Sequence, residues 1–321
     1  MIRTNDEATV SRLSAATAGY LADPYVALFV RSPKRRPPLI NRGTYARTSV
    51  VRGAIARFVA GGGEQVVSLG AGFDTAFFCL AAEEGALRES TRFFELDFAA
   101  VVTQKAAVVR GSAALRALAG VGEGGDAGRL LGERYAVLAA DLRDVGAVEA
   151  ALASAGFDGA KPTLFVAEAV LVYMEAARSD ALIEWARASC PSSAFLLYEM
   201  VRPDDAFGRE MVANIETRGC PLLSIRTYPG LKEQRQRFLS RGWAKCTATD
   251  MQELYSRVVC ADAAETSRLQ RVEMLDEFEQ FDMIMRHYCI VIATVGGHDC
   301  THISLPAKPA VPLHGGLKYI D

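Results

Sequence analysis

Histidine is nearly missing from this 321-residue sequence: there are four, three of them at positions 298, 302 and 314, so no histidine-based metal site is visible. The seven cysteines are odd in number and contain no Cys-x-x-Cys spacing. That argues for reduced thiols in a cytosolic protein and against a structural zinc. No run reaches the ~18 apolar residues of a membrane span, and Met1–Glu7 lacks the apolar core of a signal peptide. A formal net charge of −2 provides no global field to attract nucleic acid or a membrane surface. A cytoplasmic location is therefore expected. What is present is ordinary and ample: 50% hydrophobic and 23% charged residues, enough for one large α/β domain or two small ones.

The chain is organised around Val66-Val67-Ser68-Leu69-Gly70-Ala71-Gly72-Phe73-Asp74. It reads as a buried strand, a tight turn and the start of a helix, the first βα unit of a doubly wound sheet. Glycine is needed in such a turn because a Cβ blocks close approach of a ligand to the backbone. A dinucleotide fingerprint would place a third glycine where Thr75 stands, so on its own the motif is equally compatible with a plain tight turn.

Upstream, residues 6–30 have helical spacing, with Asp6 as cap and an interruption at Asp23-Pro24. Residues 31–38 form a proline-broken basic loop that reads as a solvated linker, although the five positives within 31–42 could instead meet an acidic partner. Residues 44–59 predict a helix, around which Arg42, Arg47, Arg52 and Arg57 read individually as surface residues, although one could face a ligand. Downstream strands are predicted at 92–97, 135–142, 163–168, 194–199, 243–248 and 288–294, and the stretch 110–132 reads as a helix with an irregular excursion. His287 reads as a packed strand-edge histidine.

Four successive strands finish on acids: Asp97, Asp141, Glu168 and Glu199. Ligands of open α/β sheets bind at the carboxyl ends of strands, so these acids are expected to ring one crevice. Pyrophosphate would be repelled there. A cationic ligand bearing ribose and adenine fits better, which points to S-adenosyl-L-methionine and away from NAD.

The chain resembles the leucine carboxyl methyltransferase family through ordered segments from about residue 5 to 297. They are Gly19-Tyr20 with Asp23-Pro24-Tyr25, Ile40-Asn41-Arg42-Gly43 through Ala46-Arg47, Leu69-Gly70-Ala71-Gly72 with Asp74-Thr75, and Phe94-Glu95-Leu96-Asp97-Phe98. Ala140-Asp141-Leu142-Arg143-Asp144, Ala167-Glu168 with Val170 through Met174, and Met285-Arg286-His287-Tyr288-Cys289 complete the match. The resemblance implies an α/β fold of the class I S-adenosylmethionine-dependent methyltransferase kind, Rossmann-like, with a mostly parallel seven-stranded sheet. It also implies methyl esterification of the C-terminal leucine carboxylate of the protein phosphatase 2A catalytic subunit. Among the residues, it implies that Gly70 approaches the cofactor's methionine part, with Gly72 also binding the cofactor, that Asp97 holds the ribose hydroxyls, that Asp141 and Leu142 frame the adenine, and that Glu168 meets the methionine amino group. Arg47 would grip the methionine carboxylate, and Arg12 stands where the family often has lysine in that role.

Three regions are expected: an N-terminal helical extension or lid over residues 1–60, a methyltransferase domain over 61–300 with a capping insertion around 203–230, and a tail over 301–321. A C-terminal carboxyl has a pKa of about 3.5 and is already ionised at neutral pH, so no catalytic base is predicted. Tyr173 or Tyr198 could orient the acceptor, as could a cation. The alternatives are a small-molecule carboxylate O-methyltransferase and a non-catalytic scaffold that binds the phosphatase. A tRNA-acting relative is expected to carry a large further C-terminal domain, and the net charge gives RNA binding no support.

Overall fold

A computed structural model describes residues 2–297, with side chains from Asn5 onward. The expected 301–321 tail lies outside the described residues.

Sequence pattern and burial agree best at the centre of the sheet. Strand β1 (Gln65–Leu69) is buried at every position, as a parallel strand covered on both faces requires. It pairs in parallel with β2 (Arg92–Asp97) on one side and β5 (Thr163–Glu168) on the other. The sheet continues through β4 (Tyr135–Ala139) beyond β2 and β6 (Ser193–Met200) beyond β5. Successive strands thus step away in opposite directions from β1, and the crevice at their carboxyl ends is where such sheets take ligands.

The sheet has eight strands, not seven, in the order β3-β4-β2-β1-β5-β6-β8-β7. The additional edge is β3 (Leu130–Leu131), antiparallel to β4, and two residues are too few to leave a periodic signal. At the other edge β8 (Tyr288–Val295) lies antiparallel between β6 and β7 (Lys245–Asp250).

Helices cover both faces. One face carries α2 (Pro38–Ala60), α3 (Ala76–Ala82), α4 (Ala99–Gly111) and α5 (Ala113–Ala119), packed through Phe58, Phe77, Phe93, Val102 and Leu115. The other carries α6 (Val145–Ser154), α7 (Ala176–Ser189) and α9 (Leu231–Leu239), packed through Phe165, Ile183, Phe195 and Trp243. Each such side chain stabilises the fold by about 1.5–3 kcal/mol relative to exposure.

The N-terminal reading needs correction. Helix α1 spans Ile2–Thr17, so Asp6 lies inside it and caps nothing. The chain turns at Gly19, whose φ of +95° suits glycine. Asp23 then accepts the backbone N–H groups of Tyr25 and Val26, starting a short 3-10 turn over Val26–Phe29. The second oxygen of Asp23 takes the Arg52 guanidinium and the Thr75 hydroxyl, each at 2.6 Å. Thr75, which replaces the third glycine, thereby clamps the ligand turn to the N-terminal segment. Arg52 and Arg42 are buried rather than superficial, Arg42 donating to the carbonyls of Leu269 and Glu273.

Residues 203–230 contain α8 (Ala206–Glu216), whose Met211 packs with Met200, Leu222 and Ile225. Beyond β7 come α10 (Met251–Leu254), α11 (Ala263–Val272) and α12 (Phe278–Met285), of which α10 and α11 had no sequence reading.

Candidate active site

A cavity of about 720 Å³ opens at the carboxyl ends of β1, β2, β4 and β5. Its floor is the turn after β1. Gly70 and Gly72 have φ of +69° and +54°. A Cβ on Gly70 would lie 2.7 Å from the Val170 side chain, and one on Gly72 would lie 2.4 Å from the Asn5 side-chain oxygen. The turn is secured from below: Gly70 donates to the Leu96 carbonyl at 2.8 Å, and the buried Lys105 ammonium donates to the Asp74 carbonyl at 2.8 Å. Lys105 also forms an ion pair with Glu95, which in turn accepts from the Tyr135 hydroxyl. Burial pushes Glu95 up to about 6, against the pull of Lys105. Sequence reading missed this Glu95–Lys105 pair, because one acid in a strand and one lysine in a helix look like surface charges.

Asp97 lies at the end of β2, each oxygen accepting one backbone N–H at 2.7 Å, from Gly72 and from Phe98. Both oxygens retain acceptor capacity for a ligand. Burial raises the Asp97 pKa, although those two amides oppose the shift. Asp141 and Leu142 also line the cavity, just beyond β4 rather than within it. The Arg143 guanidinium holds Asp141 below the ordinary carboxylate range.

Arg47 reaches in from α2 and Glu168 from the end of β5, meeting at 2.7 Å. The guanidinium sits 4.5 Å from the centre of the Tyr198 ring. Burial disfavours the Arg47 charge, but Glu168, then Tyr198, outweigh it and hold its pKa above the usual value. Arg12, from α1, pairs with Asp74 at 2.6 Å. Burial alone would raise Asp74, yet Arg12 and Lys105 keep it ionised below its usual pKa.

All the predicted site residues line this cavity except Tyr198, which lies behind Arg47 and stacks on Tyr288 at 5.4 Å. Tyr173 and Tyr288 do line it, and burial raises the pKa of all three phenols. Glu199 does not join the ring of acids. It is buried, and its two oxygens accept the backbone N–H groups of Val172 and Met200. It fixes the short turn Leu171–Tyr173 that presents Tyr173. Asn5 and Arg218 are lining residues that carried no sequence signal, Tyr288 was matched to the family without a role, and Arg36 takes part of the basic loop out of the linker role. His287 packs as expected, against the Asp205 carboxylate and the Met283 carbonyl.

Burial pushes Glu199 up to about 7 from an ordinary 4.5. Between those values the folded protein retains a proton that the unfolded chain has released. This contribution to stability is complete below the unfolded pKa and is lost as pH rises through the folded one. Thermal melts are expected to show Tm falling from pH 4.5 to 7.5 in the wild type. Glu199→Gln should be less stable throughout by about 1–3 kcal/mol, because an amide can accept only one of the two N–H groups. Its Tm should also vary less with pH. Equal slopes in the two proteins would mean that Glu199 is ionised across the range.

Residues 4–187 match the profile of the leucine carboxyl methyltransferase family. The chain belongs to that family. A leucine carboxyl methyltransferase 1 homolog of Arabidopsis thaliana is 40% identical over 90% of this chain and 87% of the relative. Human tRNA wybutosine-synthesizing protein 4 is 38% identical over 96% of this chain, which spans 46% of that longer relative. A crystal structure of a candidate methyltransferase from Thermobifida fusca shares the fold, with a TM-score of 0.51 at 16% identity over 89% of this chain and 94% of the other. The family member described here is an S-adenosylmethionine-dependent methyltransferase, and the site fits that cofactor. The positive-φ glycine turn, the Asp97 acceptor, and Asn5 and Arg12, whose buried Nδ2 and Nε donors have no partner among the described residues, all belong to the lining of one cavity. No cluster able to hold a metal occurs among the described residues, and none of their helices is long and apolar enough to cross a membrane.

Proposed function

We propose that this enzyme methylates the C-terminal leucine α-carboxylate of the protein phosphatase 2A catalytic subunit. Carboxyl methylation is the chemistry of its family. The observation that carries the reading is that the acids among the described cavity-lining residues are all engaged, by arginines or by backbone amides, and no free base stands beside them. There is no histidine, the phenols of Tyr173 and Tyr288 are held protonated, and Glu199 is turned to the backbone. An alcohol or ammonium acceptor would have to lose a proton, whereas a carboxylate arrives ionised.

S-adenosylmethionine, when bound, supplies a methyl group on a sulfonium sulfur whose charge is discharged as the acceptor oxygen takes the methyl. The protein's task is positioning. Asp97 holds the nucleoside end, while Gly70, Arg47, Arg12 and Glu168 meet the amino-acid end. Tyr173, Met200, Ile215 and Tyr288 form a largely apolar wall that strips water from the acceptor. Orienting two reactants in this way is worth roughly 7–11 kcal/mol.

The test is transfer of labelled methyl to purified phosphatase catalytic subunit, with a version lacking the terminal leucine alongside. Base-labile label on the intact subunit alone is the expected result. Label on neither, with cofactor binding intact, overturns the phosphatase as substrate and favours a small carboxylic acid. Label on a tRNA fraction instead would align this chain with its tRNA wybutosine relative.

A further inference from the structure

The charges lining the cavity form an almost closed set. Five acids and five arginines face it, and four pairs close among them: Arg12 with Asp74, Arg36 with Glu7, Arg47 with Glu168 and Arg143 with Asp141. Two charges are left over. Asp97 has only backbone amides as partners, and Arg218 has no ion pair among the described residues. A cavity with one anion and one cation not committed to each other offers each of them to a ligand group of opposite character. Asp97 belongs to the cofactor turn.

Arg218 belongs to the other wall. It follows α8 in a turn in which the Thr217, Arg218 and Gly219 N–H groups donate to the carbonyls of Ala213, Ile215 and Glu216. Gly219 adopts φ +75°, and Cys220 then buries itself beside the Met200 cluster. The backbone is therefore pinned on both sides, while the side chain is exposed at the cavity mouth. Its charge reaches Tyr288, the phenol stacked on Tyr198, over which Arg47 lies. Arg218, Tyr288, Tyr198 and Arg47 thus run along one side of the site.

We propose that Arg218 captures the terminal carboxylate of the acceptor at the cavity mouth and sets the preference for acceptors that end in a free acid. The proposal rests on the carboxylate-acceptor reading above. Arg47 and Arg12 are assigned above to the amino-acid end of the cofactor and are paired with Glu168 and Asp74. Arg218 keeps its full complement of guanidinium donors for an incoming carboxylate, which it can engage in bidentate fashion. It acts on the capture of the acceptor rather than on the cofactor.

The experiment uses fluorescent peptides ending in leucine, as free acid or as carboxamide, binding to the full chain loaded with S-adenosylhomocysteine. Wild type should bind the acid about tenfold more tightly than the amide, and the ratio should shrink with added salt. Arg218→Ala should bind both alike, Arg218→Lys should recover part of the preference, and Arg218→Glu should favour the amide. Affinity for S-adenosylhomocysteine, measured by calorimetry, should be the same in all four proteins. An Arg218→Ala protein that keeps the wild-type acid-to-amide ratio overturns the role of Arg218 alone. A wild type with no preference for the acid and no label transfer to the phosphatase overturns the carboxylate-acceptor reading first, and Arg218's role with it.

Discussion

Replacing Arg47 by alanine is expected to lower kcat/KM for methyl transfer by about 10²–10³-fold, the loss seen when one fixed donor is removed from a water-poor site. Three contacts go at once: the 2.7 Å pair with Glu168, a longer donation to the Glu168 carbonyl, and the stacking over Tyr198. Glu168, whose side chain is 16% exposed, would then lack its counter-charge at the amino-acid end of the cofactor site. Removing one partner of a fully buried pair costs about 3–5 kcal/mol. With the Arg47 side chain 24% exposed, solvent screening should bring the effect on folding well below that range. Activity should therefore fall far more than stability. Arg47→Lys keeps the charge but loses the planar fork and is expected to fall between the two. Steady-state kinetics, cofactor calorimetry and phosphatase pull-down together check this. Retained phosphatase binding without methylation would separate a holding role from catalysis, and an Arg47→Ala rate within threefold of wild type would remove Arg47 from the site.

Why Arg47 and not its neighbours was only partly legible in the sequence. Arg42, Arg47 and Arg52 recur at five-residue spacing, so each step turns the side chain roughly 140° around the helix and sends the three to different environments. One meets carbonyls of α11 and its C-terminal flank, one the cavity and one Asp23. Which goes where depends on how α2 is rotated on the sheet, and composition does not carry that information. The central strands were readable because burial on both faces leaves continuous apolar runs, and β2 and β5 match their expected limits of 92–97 and 163–168. The α/β architecture with its crevice followed from those strands. Two-residue β3 and the polar helix α11 left no run to read. Strand-terminal position identified Asp97 and Glu168 as lining residues but misplaced Glu199, whose carboxylate turns to the Val172 and Met200 amides instead. Asn5 and Arg218 enter the cavity through tertiary folding of α1 and of the segment after α8, which no local pattern records.

Asp97→Asn should raise the dissociation constant for S-adenosylhomocysteine about 100-fold, because one substitution damages both the turn and its ligand contacts. In the native site the two carboxylate oxygens each receive an N–H, from Gly72 and from Phe98. An amide has one oxygen, so its NH₂ must face one of those N–H groups. The loss of a charge-assisted hydrogen bond and the exposed mismatch are each worth about 1.5–3 kcal/mol. The pH dependence has a definite sign. Burial raises the Asp97 pKa, so as pH falls through that value the carboxyl gains a proton and loses acceptor capacity for ribose hydroxyls. Affinity should therefore weaken on the acid side in wild type, and the asparagine variant should lack that limb. Stability runs the other way, since a raised carboxyl pKa makes the ligand-free fold more stable when protonated. Burial disfavours ionised Asp97, and hydroxyl donors from a ligand would offset that cost. The rise in Tm caused by S-adenosylhomocysteine should accordingly grow as pH rises through the Asp97 pKa in wild type and remain flat in Asp97→Asn. A rise independent of pH in both would place the ribose contact elsewhere.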